Sequence, residues 1–337
     1  MMMQDRLSLR EIKPQRVRLG DQPLVTKDGE GLPLIMRPVR SDLDAVVWAR
    51  NNAAEIQKEL IKHGAILFRD FPFRSRTDFE SFARTISPEL MEYTERSTPR
   101  SDVAPGIYTS TEYPADQHIP LHNENSYSHR WPRKVYFFCA EPAPIGGHTP
   151  LADSRKVYEA IDKRIRYRFM EKGVMYVRNY RSDLDLPWQT VFRTFDRMDV
   201  ERYCAKVGMR CEWRHDGSLR TTQVRQAVAT HPVTREIVWF NQAHLFHVSS
   251  LTKELGESMR ALYQNDELPR NSYYGDGTPI EASTLDEIRR VYDELAVTND
   301  WQQGDLVLVD NMLTAHGRTP YEGSRKILVA MAEPFQQ

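Results

Sequence analysis

The 337 residues suffice for one large domain or two ordinary ones, and 46 basic against 47 acidic side chains leave a formal net charge of −1. Such a balance excludes a strong electrostatic pull toward nucleic acid or an anionic membrane. No run approaches the roughly 18 apolar residues that span a bilayer, the opening MMMQDRLSLR lacks an apolar signal region, and Cys139, Cys204 and Cys211 are too scattered for a disulfide framework or a thiolate zinc site. A reducing, cytoplasmic setting is expected.

Residues 1–35 are polar and irregular and read as an arm or short strand leading into the fold. A helix is expected from Ser41 to about His63, capped by Ser41, striped by Val46, Val47, Ile56, Leu60 and Ile61, and ended by Gly64. A short buried strand, Ala65–Phe68, follows, then a helix over 76–87 and a strand over Val135–Ala140. Pro142, Pro144, Gly146 and Gly147 punctuate the next loop. The clearest helical period covers 154–172, with Ser154 as cap, Val157, Ile161, Ile165 and Phe169 on one face, and Gly173 beyond its end. Pro187 opens a further helix to about 205. A strand at Ile237–Phe240, helices at 251–264 and 282–297, and strands at Leu306–Asp310 and Lys326–Met331 complete the chain. Without a repeat, low-complexity tract or linker, 36–337 reads as one domain: a mixed strand core, flanking helices and a helix-rich insertion over about 154–300.

His122-Asn123-Glu124 holds the most chemistry. In a strand, residues i and i+2 share a face, so this imidazole and carboxylate can aim at one point. His316, expected at the end of a strand over 305–311, can supply a second imidazole. Two histidines and one carboxylate with open positions opposite is the ligand set of non-haem Fe(II) oxygenases. Zinc accepts the same donors. His118 and His122 have the spacing of a helical zinc site, but Pro120 between them argues against a helix. His244 and His247 read as packing or substrate-region residues, and Trp131, Trp188 and Trp239 as core or pocket-wall aromatics. Asn123, Asn125 and Asp310 are candidates to orient the ligands.

The strings LHNENSYSHRWP, GGHTPLADSR, VWFNQAHLFHV and LVDNMLTAHGRTPYEGSRKILVAM resemble the TauD/TfdA superfamily of Fe(II)- and 2-oxoglutarate-dependent oxygenases, over roughly residues 35–335. The likeness is to its clavaminate-synthase-like branch, with the syringomycin-type hydroxylases of natural-product pathways. It implies an α+β, mainly β fold, a double-stranded β-helix (jelly roll) core. It also implies iron ligands His122, Glu124 and His316, a 2-oxoglutarate contact at Thr149, and Arg325 as the grip on the cosubstrate's far carboxylate. A planar guanidinium suits that role, because it pairs bidentately and keeps its charge. Many relatives carry aspartate where this chain has Glu124, although this branch uses glutamate. Some carry a second arginine where this chain has Val329, and Arg318 is the candidate substitute. Glu124 argues against halogenation, for which relatives leave that position small.

What the resemblance implies for activity is hydroxylation driven by O2 and 2-oxoglutarate, with succinate and CO2 as coproducts; desaturation, epoxidation and cyclisation start from the same hydrogen abstraction. The implied substrate is derived from an amino acid, free or attached to a carrier protein. Tyr108, Asn125, Arg178, Asn241 and Arg270 are the candidate polar contacts, and the insertion is the expected lid. The competing readings are a zinc-dependent hydrolase and a silent jelly-roll binding module.

Overall fold

In a computed structural model of the protein, the residues described are 24–29, 31–92, 100–111, 113–180, 186–263 and 267–336. The chain folds into mixed helix and sheet. Its largest sheet has eight strands in the order Val25–Asp28, Leu34–Pro38, Ala65–Phe68, Leu306–Asp310, Trp131–Glu141, Lys326–Phe335, Ile107–Thr109 and Asp102–Ala104. Neighbours run antiparallel except Leu34–Pro38 against Ala65–Phe68. That parallel pair needs a crossover, which the helices between the two strands supply. The described part of the expected arm therefore forms the edge of this sheet; residues 1–23 lie outside the described residues.

The strand period sorts side chains to two faces. Tyr136, Phe138, Leu306, Leu308, Leu328 and Ala330 pack outward beneath the helices Ala45–Asn51, Ala53–His63 and Arg76–Ile86, with Phe68, Phe71, Phe79 and Phe82. Their alternate neighbours Val135, Phe137, Cys139, Val307, Val309, Ile327 and Val329 form the opposite, inward face. This inward face looks toward a three-stranded sheet ordered Ile119–His122, Thr314–Arg318 and Leu151–Asp153.

Two expected helices divide. The segment from Ser41 becomes Ala45–Asn51 and Ala53–His63, with Asp44, not Ser41, accepting the capping bond from Val47 N. Val47 faces solvent, and Trp48 and Ala49 take the buried positions. The 154–172 segment breaks at Ile161, whose extended backbone separates Ser154–Ala160 from Lys163–Lys172. Asp153 and Asp162 cap the two pieces; a short acidic side chain that bonds a nearby N–H favours a helix start over continuation. Likewise the 187–205 stretch becomes Trp188–Phe192 and Arg197–Val207. The segment over 154–300 also holds more sheet than its helical patterns suggest. Arg210–Trp213, Leu219–Arg225, Val174–Tyr180 and Arg270–Tyr274 form a four-stranded sheet, beside the hairpin of Val228–Thr230 and Ile237–Trp239. Among the described residues, no helix is long and apolar enough to cross a membrane.

Candidate metal centre and the cavities around it

His122, Glu124 and His316 converge. Each offers one ligand atom, and these atoms lie within 4.8 Å of one another. The route differs from the one-strand expectation. The first strand ends at His122, and Glu124 sits in the turn beyond it, next to Asn125 with φ 55°. His316 lies inside its own strand, Thr314–Arg318, directly opposite His122 in the register. Gly317 permits that approach, since a Cβ there would meet the Ile119 carbonyl at 2.6 Å.

Neighbouring groups fix each ligand. His122 Nδ1 donates to the Pro120 carbonyl at 2.8 Å. A carbonyl only accepts, so the proton sits on Nδ1 and Nε2 presents its lone pair. Asn311 staples the carboxylate loop: its Oδ1 accepts from Glu124 N at 2.7 Å, while its Nδ2 donates to the carbonyls of Glu124 at 2.9 Å and Pro132 at 2.8 Å. Asn123 donates back to the Asn311 carbonyl at 2.7 Å and to Ser154 Oγ at 3.0 Å. Ser154, expected as a helix cap, thus serves the metal loop. Asp310 accepts from Met312 N and Leu313 N and pairs with His231, shaping the turn that leads to His316.

Burial lowers the pKa of both ligand imidazoles, most strongly that of His316. Neutral imidazole is the form that binds a metal. His316 Nδ1 is buried without a hydrogen-bond partner among the described residues, and its Nε2 stands 3.9 Å from Glu124 Oε2. Two donors to one ion at about 2.0–2.2 Å each would stand closer than this if they occupied adjacent coordination positions. The donor set fits ferrous iron.

A small chamber of about 40 Å³ adjoins the ligands, lined by His122, His316, Thr149, Arg325 and Arg318 and walled by Phe137, Ile327 and Val329 of the large sheet. Trp301 Nε1 donates to Thr149 Oγ1 at 3.2 Å, and Arg325 Nε donates to the Gly147 carbonyl at 2.9 Å. Gly147, at φ 69°, is needed there: a Cβ would meet Arg325 Nε at 2.9 Å. Burial first, then the charge of Arg318, holds the Arg325 pKa down at about 10, so it stays cationic at neutral pH. Three guanidinium groups line this chamber, and with Arg100 paired to Glu124, Arg318 and Arg325 are left to call for a dianion. The Arg318 fork is already engaged, however, donating to the carbonyls of Tyr113, Pro114 and Gln117. It ties down that segment, and its effect on the chamber is chiefly through charge.

Beyond the ligands lies a wider cleft. Of the five substrate candidates, all among the described residues, Arg270 lines this cleft. The other four line neither cavity. Tyr108 is buried in the large sheet opposite Val329. Asn125 occupies the left-handed turn position after Glu124. Arg178 lies over the Tyr180 ring at 4.7 Å. The Asn241 amide is consumed at both ends, donating to Ala227 O and accepting from Ala243 N. His247 lines the cleft, whereas His244 is a packing residue tilted against Tyr292 at 4.9 Å and bonded to the Leu121 carbonyl. Trp131 and Trp239 are core residues, and Trp188 packs on Trp213. Sequence patterns gave no signal for Arg100, whose guanidinium touches Glu124, and Asn311 was visible only as a letter within LVDNMLTAH.

Residues 30–331 match the family described as taurine catabolism dioxygenase TauD, TfdA. The chain belongs to that family. Its activity is that of an Fe(II)- and 2-oxoglutarate-dependent dioxygenase, which sets aside the zinc-hydrolase and binding-module readings. The chain is 38% identical to the dapdiamide synthesis protein DdaC of Enterobacter agglomerans over 313 residues, 93% of this chain and 94% of that one. It is 31% identical to a clavaminate synthase-like protein of Arabidopsis thaliana over 289 residues, 81% and 83% of the two chains. Among solved structures it resembles AAD-2 in complex with Mn(II) and N-oxalylglycine, with a TM-score of 0.51 at 16% identity, covering 91% of this chain and 96% of that one.

Proposed function

We propose that the protein hydroxylates an amino-acid-derived substrate, free or carrier-tethered, in natural-product biosynthesis. The observation that supports this most is the placement of His122, Glu124 and His316 between a small cationic chamber and a wider cleft. The likeness to a dapdiamide synthesis protein supports the pathway class. In this reading residues 36–337 act as one domain, whose large and three-stranded sheets are the two walls of a double-stranded β-helix.

His122, Glu124 and His316 would hold Fe(II), which with 2-oxoglutarate and O2 supplies the oxidant that removes a substrate hydrogen. Arg325 pairs with the far carboxylate of 2-oxoglutarate, Thr149 offers its hydroxyl, and Arg318 adds positive charge. Phe137, Ile327 and Val329 keep that chamber dry, which strengthens each of these contacts. The substrate enters by the cleft, where Arg270 is placed for a polar group and Leu245, Phe246 and Leu255 for an apolar one. Hydroxylation is the expected outcome; desaturation, epoxidation or cyclisation would use the same site.

A succinate-release screen with Fe(II), 2-oxoglutarate and O2, run over free and carrier-tethered amino acids, tests the reading. Substrate-stimulated succinate with a product heavier by one oxygen is expected. Products lighter by two hydrogens would replace hydroxylation by desaturation, and no stimulation across both sets would remove the substrate class.

A further inference from the structure

Arg100 stands on the boundary of the site, lining both the chamber and the cleft. Its Nη2 donates to Glu124 Oε2 at 2.7 Å, and both side chains are only 4% exposed. The oxygen it holds is the one that faces His316 Nε2 at 3.9 Å. The guanidinium is therefore bonded to the carboxylate atom nearest the second imidazole, on the side where a shared ion belongs. A buried carboxylate with no cation beside it is costly, and breaking such a pair by deleting one partner is strongly destabilising.

We propose that Arg100 is the resident partner of Glu124 in the metal-free site: its Nη2 holds Glu124 Oε2 in place beside His316, and an incoming divalent ion takes that oxygen from it. Arg100 is thus a positioning residue that acts through Glu124, and the inference rests on the metal assignment made above. Two cations competing for one oxygen makes each weaken the other's hold. Removing Arg100 should accordingly weaken the metal-free fold and tighten metal binding, by the linkage that any ligand of the folded state obeys. A residue that merely props up the site would do the opposite on the second count, since damage to a site loosens its ion.

The test uses the full chain stripped of metal, with Mn(II) as the probe, titrated calorimetrically and followed by thermal unfolding. The wild type should bind one Mn(II), and His316→Ala should lose it. Retention of wild-type affinity by His316→Ala would overturn the metal assignment itself, separately from the role of Arg100. Arg100→Met should lower the metal-free Tm by several degrees and tighten the Mn(II) Kd roughly tenfold. Its Tm should also rise further on Mn(II) addition than that of the wild type. Arg100→Gln retains an N–H donor without the charge; it should shift the Kd the same way and serves if the methionine variant does not fold. Mn(II) binding equal to or weaker than wild type in a folded variant overturns the proposal.

Discussion

The chamber and the cleft share Arg100, Thr111, Ile119 and His122, yet they are built of different material. Chamber walls come from strands of two sheets and from the loop residues Arg100, Ser110, Thr111, Thr149 and Arg325, and three of its polar groups are bonded to the surrounding framework: His122 to Pro120, Arg325 to Gly147, Thr149 to Trp301. The far wall of the cleft is helical. It includes the four-residue helix Ala243–Phe246, the turn Val248–Ser250 and the helix Lys253–Leu262. In that last helix Leu255 and Leu262 are 49% and 73% exposed, so its apolar side is poorly covered. Parts with few buried contacts open most easily. The contrast assigns the reaction to the half that carries the ligand histidines and Arg325, and the choice of substrate to the helical half.

Four substitutions break or sharpen this division, in decreasing order of effect. Glu124→Gln keeps the shape of the ligand but removes its charge, and succinate formation should fall roughly 10³-fold with an unchanged circular-dichroism spectrum. Turnover near the wild-type rate would take Glu124 out of the chemistry. On the proposed role of Arg325, Arg325→Ala would remove a charge-assisted pair of hydrogen bonds to 2-oxoglutarate, about 3 kcal/mol, so the KM for 2-oxoglutarate should rise roughly 100-fold while that for substrate stays within about twofold. Steady-state kinetics varying each in turn decides it; an effect confined to the substrate KM would erase the boundary between chamber and cleft. Leu255→Asp places a charge on the apolar side of the cleft and should raise the substrate KM roughly tenfold, leaving the 2-oxoglutarate KM alone. Equal changes in both constants would mean that the two cavities act as one.

The smallest effect concerns His244, behind the site. Burial pushes its imidazole down to about 3, below the ordinary value of 6.5. Between those two values the unfolded chain binds the extra proton and the folded chain does not, so stability is full above about pH 6.5 and falls as the pH drops. The slope from one such group is about 1.4 kcal/mol per pH unit. In urea titrations at pH 7.5 and 5.5, His244→Gln should lose less stability on acidification than the wild type. An identical loss would show that the histidine titrates normally in the fold.

The sequence carried the donor set better than its scaffold. His122, Glu124 and His316 stand out by residue type, but period-two spacing suggests one strand, whereas the strand ends at His122 and a left-handed Asn125 turns the chain behind Glu124. Strands with a continuous apolar run, such as Leu306–Asp310 and Lys326–Phe335, are legible because both faces are buried. Arg270–Tyr274 reads RNSYY and is not, because its pairing with Val174–Tyr180 depends on a partner distant in sequence. Asp162 starts a new helix where the apolar period runs on unbroken, and Asp44 moves the start of the first helix beyond Ser41, a local hydrogen bond overriding pattern. Arg100 had no signal at all, since nothing in its own neighbourhood says that it will meet a carboxylate from another loop. The polar letters Tyr108, Arg178 and Asn241 owe their positions to packing and backbone bonding, demands that composition does not distinguish from ligand recognition.

The Asn311 staple has a bearing on which ion the protein accepts. One amide joins the carboxylate loop to the segment that carries the second imidazole, so the two donors cannot drift apart independently. The gap between them works as a caliper, set by backbone hydrogen bonds before any ion arrives. A wide, many-coordinate ion such as calcium would have to force those bonds open, while a compact first-row ion asks only that the jaws close.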